Sequence, residues 1–299
     1  MVSTKTKKIR KLRRVELFDV INLTLLTVIC LSMFYPFLNL FFVSISAQSE
    51  VTAANGLLLY PKKIQLESYK YVFTYNNIWR AYQNTIFTTI VGTILSLLLT
   101  CMGGYSLSKK GMPGRTVMTN FVLITMFISG GLIPTYLTMR DYKLLNSLWV
   151  LILPGCVSAW NLFLARNFFM GIPEDLKEAC YIDGGNEVQT MLRIVLPLSM
   201  PIIATLTLFY GLGYWNQYSS AIIYNTRQEY HVLQVVVRRM YSSSMSDLLT
   251  PEELELQRTP PTEVVRAATV MFTTAPVLAI YPFLQKHFAQ GVMVGSLKG

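Results

Sequence analysis

The sequence predicts an all-α, polytopic membrane protein with six transmembrane helices, and three observations carry that reading. First, the 299 residues are 52% hydrophobic and only 14% charged, with a mean hydropathy of +0.41. Soluble domains carry about 25% charge, and a water-soluble chain of this composition would expose apolar surface and aggregate. Second, the charges leave six long uncharged windows at 20–49, 81–108, 116–139, 144–165, 194–226 and 267–285. Each is rich in Leu, Ile, Val and Phe, and each is close to or above the roughly 20 residues a helix needs to cross hydrocarbon. Third, the short alternating segments with lumenal charges that mark a membrane β-barrel are missing. The composition also excludes a disordered chain, and 17 Gly and 4 Cys are too few for a collagen-like or disulfide-framework protein.

Helices are expected near 18–46, 82–107, 117–139, 146–168, 198–224 and 264–284. The first is too long for a cleaved signal peptide, and Tyr35-Pro36 interrupts it where a small-residue cleavage site would be needed. Ahead of it, Lys5 to Arg14 holds seven Lys/Arg, a dense basic flank that stays cytoplasmic. Six crossings then place both termini inside, with 15 Lys/Arg on inner segments and 11 on outer ones. The expected organisation is a basic segment 1–17, a six-helix domain 18–284 and a cytoplasmic tail 285–299. Cys30, Cys101 and Cys156 fall in membrane windows and Cys180 in an inner loop, with no C-x-x-C spacing, so free thiols are expected.

What the windows lack is as informative. None contains Asp, Glu, Lys, Arg or His, the residues that ion-coupled carriers and pumps place inside the membrane. His231 and His287 both lie outside the windows, and no Walker A, G-x-G-x-x-G or G-x-S-x-G sequence occurs. The chain shows neither an energy source nor a catalytic constellation.

The inner loop 171–200 carries the most information. Pro173 suits the start of a helix, where its missing N–H is not needed, and Glu174 and Asp175 complement the positive helix end. Leu176, Ala179 and Cys180 then share one apolar face, and Gly184-Gly185 ends the helix and permits positive φ. A second stretch, 187–195, puts Val188, Met191, Leu192 and Val195 on one face before Pro197 and Pro201 open the fifth membrane helix. The product is a helix–turn–helix with an exposed apolar ridge, serving either as a docking element or as an amphipathic rest on lipid headgroups.

Glu178-Ala179-Cys180, Asp183-Gly184 and Ile194-x-Leu196-Pro197 resemble the EAA loop of ABC importer permeases. Cys180 stands where that pattern has its second Ala, and Gly185 where Ala is frequent. The ending, with Pro282, Phe283, Gln285, Phe288, Gly291, Val292, Gly295, Lys298 and Gly299, resembles the tail of carbohydrate-importer permeases of the maltose-transporter type. The tail and Tyr35-Pro36 further resemble the branch for oligosaccharide or polysaccharide uptake.

The resemblance implies the type I ABC importer permease fold in the plasma or inner membrane of a prokaryote. It implies a second permease, two cytoplasmic ATPase subunits and an extracytoplasmic solute-binding protein as partners, with no nucleic acid. ATP and Mg would bind the ATPase, so no cofactor is expected in this chain and it is not expected to be an enzyme. By the same analogy Glu178 pairs with a basic residue of a groove on the ATPase, Ala179 and Cys180 pack against its wall, and Gly184 sets the angle of the turn. Asp183, Gly185, Leu196 and Pro197 complete the coupling motif, and Gly291, Gly295 and Lys298 reach between the ATPase subunits.

For the substrate path the residues themselves offer Tyr210, Tyr214, Gln217 and Tyr218 at i, i+4, i+7 and i+8, with Trp215 and Asn216 adjoining. Aromatic faces with amides suit sugars, whose rings stack and whose hydroxyls take hydrogen bonds. An interfacial aromatic belt has the same composition. Asn39 and Asn84 are further polar candidates, for the path or for helix–helix contact. The outer segment 225–262 reads as a solvated loop or as a surface for the binding protein. A non-sugar solute, or a receptor or assembly role, are the competing readings.

Overall fold

The computed structural model describes residues 17–75, 77–241 and 263–296, so the basic head, the outer-loop stretch 242–262 and Lys298 lie outside the described residues. In chain order the helices begin with α1 (Leu17–Ser44), α2 (Gln48–Ala53), α3 (Glu67–Thr74) and α4 (Ile78–Ser108). They continue with α5 (Arg115–Phe127), α6 (Leu132–Asp141), α7 (Trp149–Ile152), a 3-10 turn (Leu153–Gly155) and α8 (Ala159–Met170). Next come α9 (Glu174–Ile182), α10 (Glu187–Leu198), α11 (Met200–Trp215) and α12 (Ser219–Tyr224). A 3-10 turn (Gln228–Tyr230), α13 (Leu233–Tyr241) and α14 (Glu263–Ser296) complete the described chain.

The six windows resolve into two kinds of span. α1, α4 and the first part of α14 are each long and apolar enough to cross a bilayer alone. The third, fourth and fifth windows are bent pairs: α5 with α6 at 116°, α7 with α8 at 50°, and α10 with α11 at 83°. Continuous helices over 117–139 and 146–168 are therefore corrected, and local chemistry explains both breaks. Gly131 sits at φ 80°, ψ 175°, backbone that a side chain disfavours, and Pro134 follows in the first turn of α6, where no donor is needed. In the fourth span Pro154-Gly155 ends one helix and Ser158 caps the next by accepting from the Asn161 N–H.

The fifth helix also differs from expectation. It ends at Trp215 rather than 224, because Asn216 turns its side chain back to the Leu212 carbonyl at 3.0 Å and α12 starts afresh at Ser219. Its beginning is displaced too. Helical backbone runs through Pro197, and residues 191–195 widen into a π-turn just before it. Proline has no N–H to donate and its ring crowds the carbonyl four residues back, so a locally wider helix accommodates it. The widening shifts the phase of the expected apolar face: Val195 is buried and Met191 packs on the core, while Val188 and Leu192 are exposed. At the C-terminus the helix continues through Gly291 and Gly295 to Ser296, so the boundary expected at 284/285 is not a helix end.

α4 is the centre of the fold, packing along α8 and α11, while α14 joins α11 to α1. Small residues allow this approach. A Cβ on Gly104 would lie 3.0 Å from the Ala165 Cβ, and one on Gly92 would lie 2.7 Å from the Tyr214 ring. The core gathers Cys101, Tyr105, Ala165, Phe169, Leu206 and Tyr210. Outside it, α5 buries no residue, and α1 buries side chains against the start of α14 near its own C-terminal end, around Leu40 and Val43. Asn39 and Asn84 prove to be loop anchors rather than helix–helix contacts. Asn39 holds Gly56 and Leu58 at 3.0 and 2.8 Å, and Asn84 donates to the Glu229 and His231 carbonyls at 2.8 and 2.9 Å.

Candidate functional site

The loop 171–200 folds as the unit its residues predict. α9 follows Pro173, with Glu174 and Asp175 in its first turn. Gly184 adopts φ 81°, donates its N–H to the Tyr181 carbonyl at 3.0 Å, and has open space where a Cβ would stand. It is therefore needed for its backbone alone. Gly185 is needed for space: a Cβ there would lie 2.5 Å from Cys180 Sγ and 2.8 Å from the Cys180 carbonyl oxygen. The two departures from the EAA pattern are thus linked in space, the larger Cys180 facing the smaller Gly185.

A capping box missed from sequence starts α10. Asn186 Oδ1 accepts from the Gln189 N–H, and Gln189 Oε1 accepts from the Asn186 N–H, both at 2.9 Å. The N-x-x-Q spacing was its signal. Between α9 and α10 lies a concavity of about 700 Å³, whose lining includes Ala179, Cys180, Asp183, Gly184, Gly185 and Pro197. Glu178 and Ala179 are exposed, and so is the apolar edge formed by Leu176, Val188, Leu192 and especially Ile182, which is 85% accessible. Leu196 instead packs partly buried on the core.

Polar contacts tie this unit to the end of α4. Glu187 forms an ion pair with Lys109 and accepts from Tyr105 Oη at 3.0 Å. Lys109 Nζ also donates to Tyr181 Oη at 3.3 Å and sits 4.7 Å from the Tyr105 ring centre. Burial pushes the Tyr181 hydroxyl up, but hydrogen bonds with Tyr105 and Lys109 and the ammonium charge outweigh it and hold it below its ordinary value.

The tyrosines offered for a substrate path are engaged inside the chain. Tyr210 and Tyr214 are 5% and 4% accessible. Tyr210 Oη meets Thr100 Oγ1 at 2.7 Å and accepts the Ser158 N–H at 3.2 Å. Tyr214 Oη meets Ser96 Oγ at 2.9 Å and donates to the Ile152 carbonyl at 3.2 Å, while Gln217 Nε2 donates to the Leu151 carbonyl at 2.8 Å. These partners flank the break between α7 and α8. In a bilayer core the backbone groups freed by such a break must be satisfied within the protein, and here α11 supplies that. Trp215 is buried edge-on against Tyr82, ring centres 6.1 Å apart. Asn216 is exposed and Tyr218 half-buried beyond the end of α11, so Tyr210, Tyr214, Gln217 and Tyr218 do not share one continuous helix face. Gln217 keeps a buried Oε1 without a partner among the described residues.

A second break has no such cover among the described residues: residues 128–131, between α5 and α6, are exposed. Non-helical backbone at membrane depth faces protein or water rather than lipid.

Known proteins share this arrangement. The family described as binding-protein-dependent transport system inner membrane component matches residues 101–294. Protein LplC of Bacillus subtilis is 39% identical, covering 95% of this chain and 96% of its own length. The polygalacturonan/rhamnogalacturonan transport system permease protein YtcP of the same organism is 37% identical over 95% of this chain and 99% of its own. A chain from the crystal structure of a bacterial ABC transporter involved in the import of the acidic polysaccharide alginate superposes with a TM-score of 0.82 at 32% identity. That match covers 93% of this chain and 99% of the other.

Proposed function

The chain belongs to the family of binding-protein-dependent transport system inner membrane components, and from that premise we propose that it is the permease of an ATP-driven importer of oligosaccharide or polysaccharide. It is a membrane-embedded transport subunit, not an enzyme. An importer of this kind works with a second permease, an ATPase and a solute-binding protein. Sugar polymers are favoured over other solutes because YtcP belongs to a polygalacturonan/rhamnogalacturonan transport system, the structural neighbour to a transporter of the acidic polysaccharide alginate, and the AraQ permease of Halalkalibacterium halodurans, 29% identical, to an arabinooligosaccharide transport system.

The observation that carries the reading is the α9–α10 unit. A chain with no visible energy source presents, between two membrane spans, a helical elbow with an exposed apolar edge around Ile182 and an acidic group, Glu178, beside a concavity. In our reading Glu178, Ala179, Cys180, Asp183, Gly184, Gly185 and Pro197 form the face that docks on the ATPase, which alone binds ATP and Mg. Leu196 fixes the elbow to the core. Both termini are cytoplasmic, and Gly291 and Gly295 at the end of α14, followed by Lys298, lie toward the ATPase pair. The translocation path runs between this permease and the second one, with the exposed backbone 128–131 facing it and Asn216, Gln217 and Tyr218 at its outer end. Tyr210 and Tyr214 support that path by holding the broken fourth span, and Trp215 by packing on Tyr82 of α4.

The deciding experiment is purification of the tagged chain from gently solubilised membranes, with identification of what accompanies it. An ATP-hydrolysing subunit and a second six-span protein are expected. Recovery of the chain alone, under conditions that preserve a known importer complex, would sink the reading. For the path, Asn216→Ala is expected to lower uptake while binding-protein-stimulated ATP hydrolysis persists, and unchanged uptake would remove Asn216 from it.

A further inference from the structure

The last turn of α4 is wired in two directions. Toward the membrane core, Arg115 Nε and Arg166 Nε both donate to the Leu107 carbonyl, at 2.9 and 3.1 Å, which ties the end of α4 to α5 and α8. Toward the cytoplasmic elbow, Lys109 is the residue that closes α4, and Glu187 is the first residue of α10. Each charge is favoured where it sits, a cation at a helix C-terminus and an anion at an N-terminus. Lys109 also touches both sides of the Gly184 turn, reaching α10 through Glu187 and α9 through Tyr181. Tyr105 backs the group from inside: it is 5% accessible, packs in the core, and donates to Glu187. Movement of the elbow therefore either carries the end of α4, and α8 with it, or breaks the contacts of Lys109.

We propose that Lys109, held by Tyr105, Tyr181 and Glu187, is a positioning residue that transmits motion of the α9–α10 elbow into α4 and, through the Leu107 carbonyl, into α8. This rests on the importer-permease reading. The cluster suits such a role because it is not locked. The Lys109 and Glu187 side chains are 26% and 59% accessible, so the pair can re-form in another geometry without desolvating either charge anew. Lys109 also faces two aromatic rings, at 4.7 and 5.9 Å, which give its ammonium an alternative partner while the ion pair changes.

The test uses the whole complex, reconstituted with the second permease, the ATPase and the binding protein, and reads the stimulation of ATP hydrolysis by the binding protein. Assembly of the wild-type complex is scored first and decides the importer reading by itself. Lys109→Met and Glu187→Gln are each expected to lower the stimulation roughly tenfold, within the range usual for coupling between sites, with the amount of assembled complex unchanged. Exchanging the charges, Lys109→Glu with Glu187→Lys, is expected to recover only a small part, since the ion pair re-forms in reverse but each charge then opposes its helix end and Tyr105 loses its acceptor. Normal stimulation in Lys109→Met overturns the proposal. So does a loss of hydrolysis that merely tracks lost assembly, because that is the signature of a structural role.

Discussion

Two tyrosine-bearing clusters, one at each end of the α4–α8 contact, use similar groups for opposite purposes. Around Tyr210 and Tyr214 every hydrogen-bond partner is neutral and within the chain: the buried hydroxyls of Ser96 and Thr100, the buried backbone of Ile152 and the half-buried backbone of Ser158. Losing any of those contacts leaves a buried polar group unpaired, which costs more than the bond is worth when made. Around Tyr105 and Tyr181 the partners are charged and partly accessible, so water can replace them. The first cluster freezes a broken span in place. The second holds the α9–α10 elbow through contacts that water can reach. Burial, not residue type, separates a brace from a joint.

The largest effect is expected where backbone, rather than side chain, sets the joint. Gly184→Pro must force φ from 81° toward −65° and removes the N–H bonded to Tyr181, at a cost of about 3 kcal/mol or more in the local geometry. Uptake should vanish while membrane insertion, followed by blotting of membrane fractions, is retained; transport by that variant would contradict a coupling role for the turn. Next comes the brace. Gly92→Ala drives a Cβ to 2.7 Å from the Tyr214 ring, a rigid neighbour that cannot yield cheaply. A loss of about 1–3 kcal/mol is expected, seen as a lower unfolding temperature of the detergent-solubilised chain. The smallest change in stability is expected at the joint itself. Lys109→Met should alter the unfolding midpoint by the equivalent of about 1 kcal/mol or less, because the pair it breaks is partly solvated. A drop as large as that of Gly92→Ala would erase the distinction between the two clusters.

Much of this was legible beforehand because membranes simplify the physics. Six uncharged windows located the three long membrane helices and the three bent helix pairs, and the run from Pro173 to Gly184 located α9 and its turn to within a residue. The breaks were legible but unread: Gly130-Gly131 with Pro134, and Pro154-Gly155 with Ser158, are turn signals that high hydropathy concealed. The π-turn before Pro197 was foreshadowed by that proline, yet its effect on the facing of Val188 and Val195 depends on a phase that no fixed helical period predicts. The tyrosines misled for a different reason. Their spacing on α11 is helical only as far as Trp215, and spacing cannot say whether an aromatic face meets a pathway or a neighbouring helix.

The sequence by itself determined that this chain lives in a membrane, how many times its apolar windows recur, and where the elbow between α9 and α10 bends. Those properties follow from transfer free energies and from the backbone freedom of single residues, both local to the chain. Only the tertiary structure decided that Cys180 faces Gly185, that Tyr210 and Tyr214 brace a broken span, and that Lys109 meets Glu187 across 78 positions. Those are contacts between distant segments, set by which helices pack together and how closely small residues let them approach.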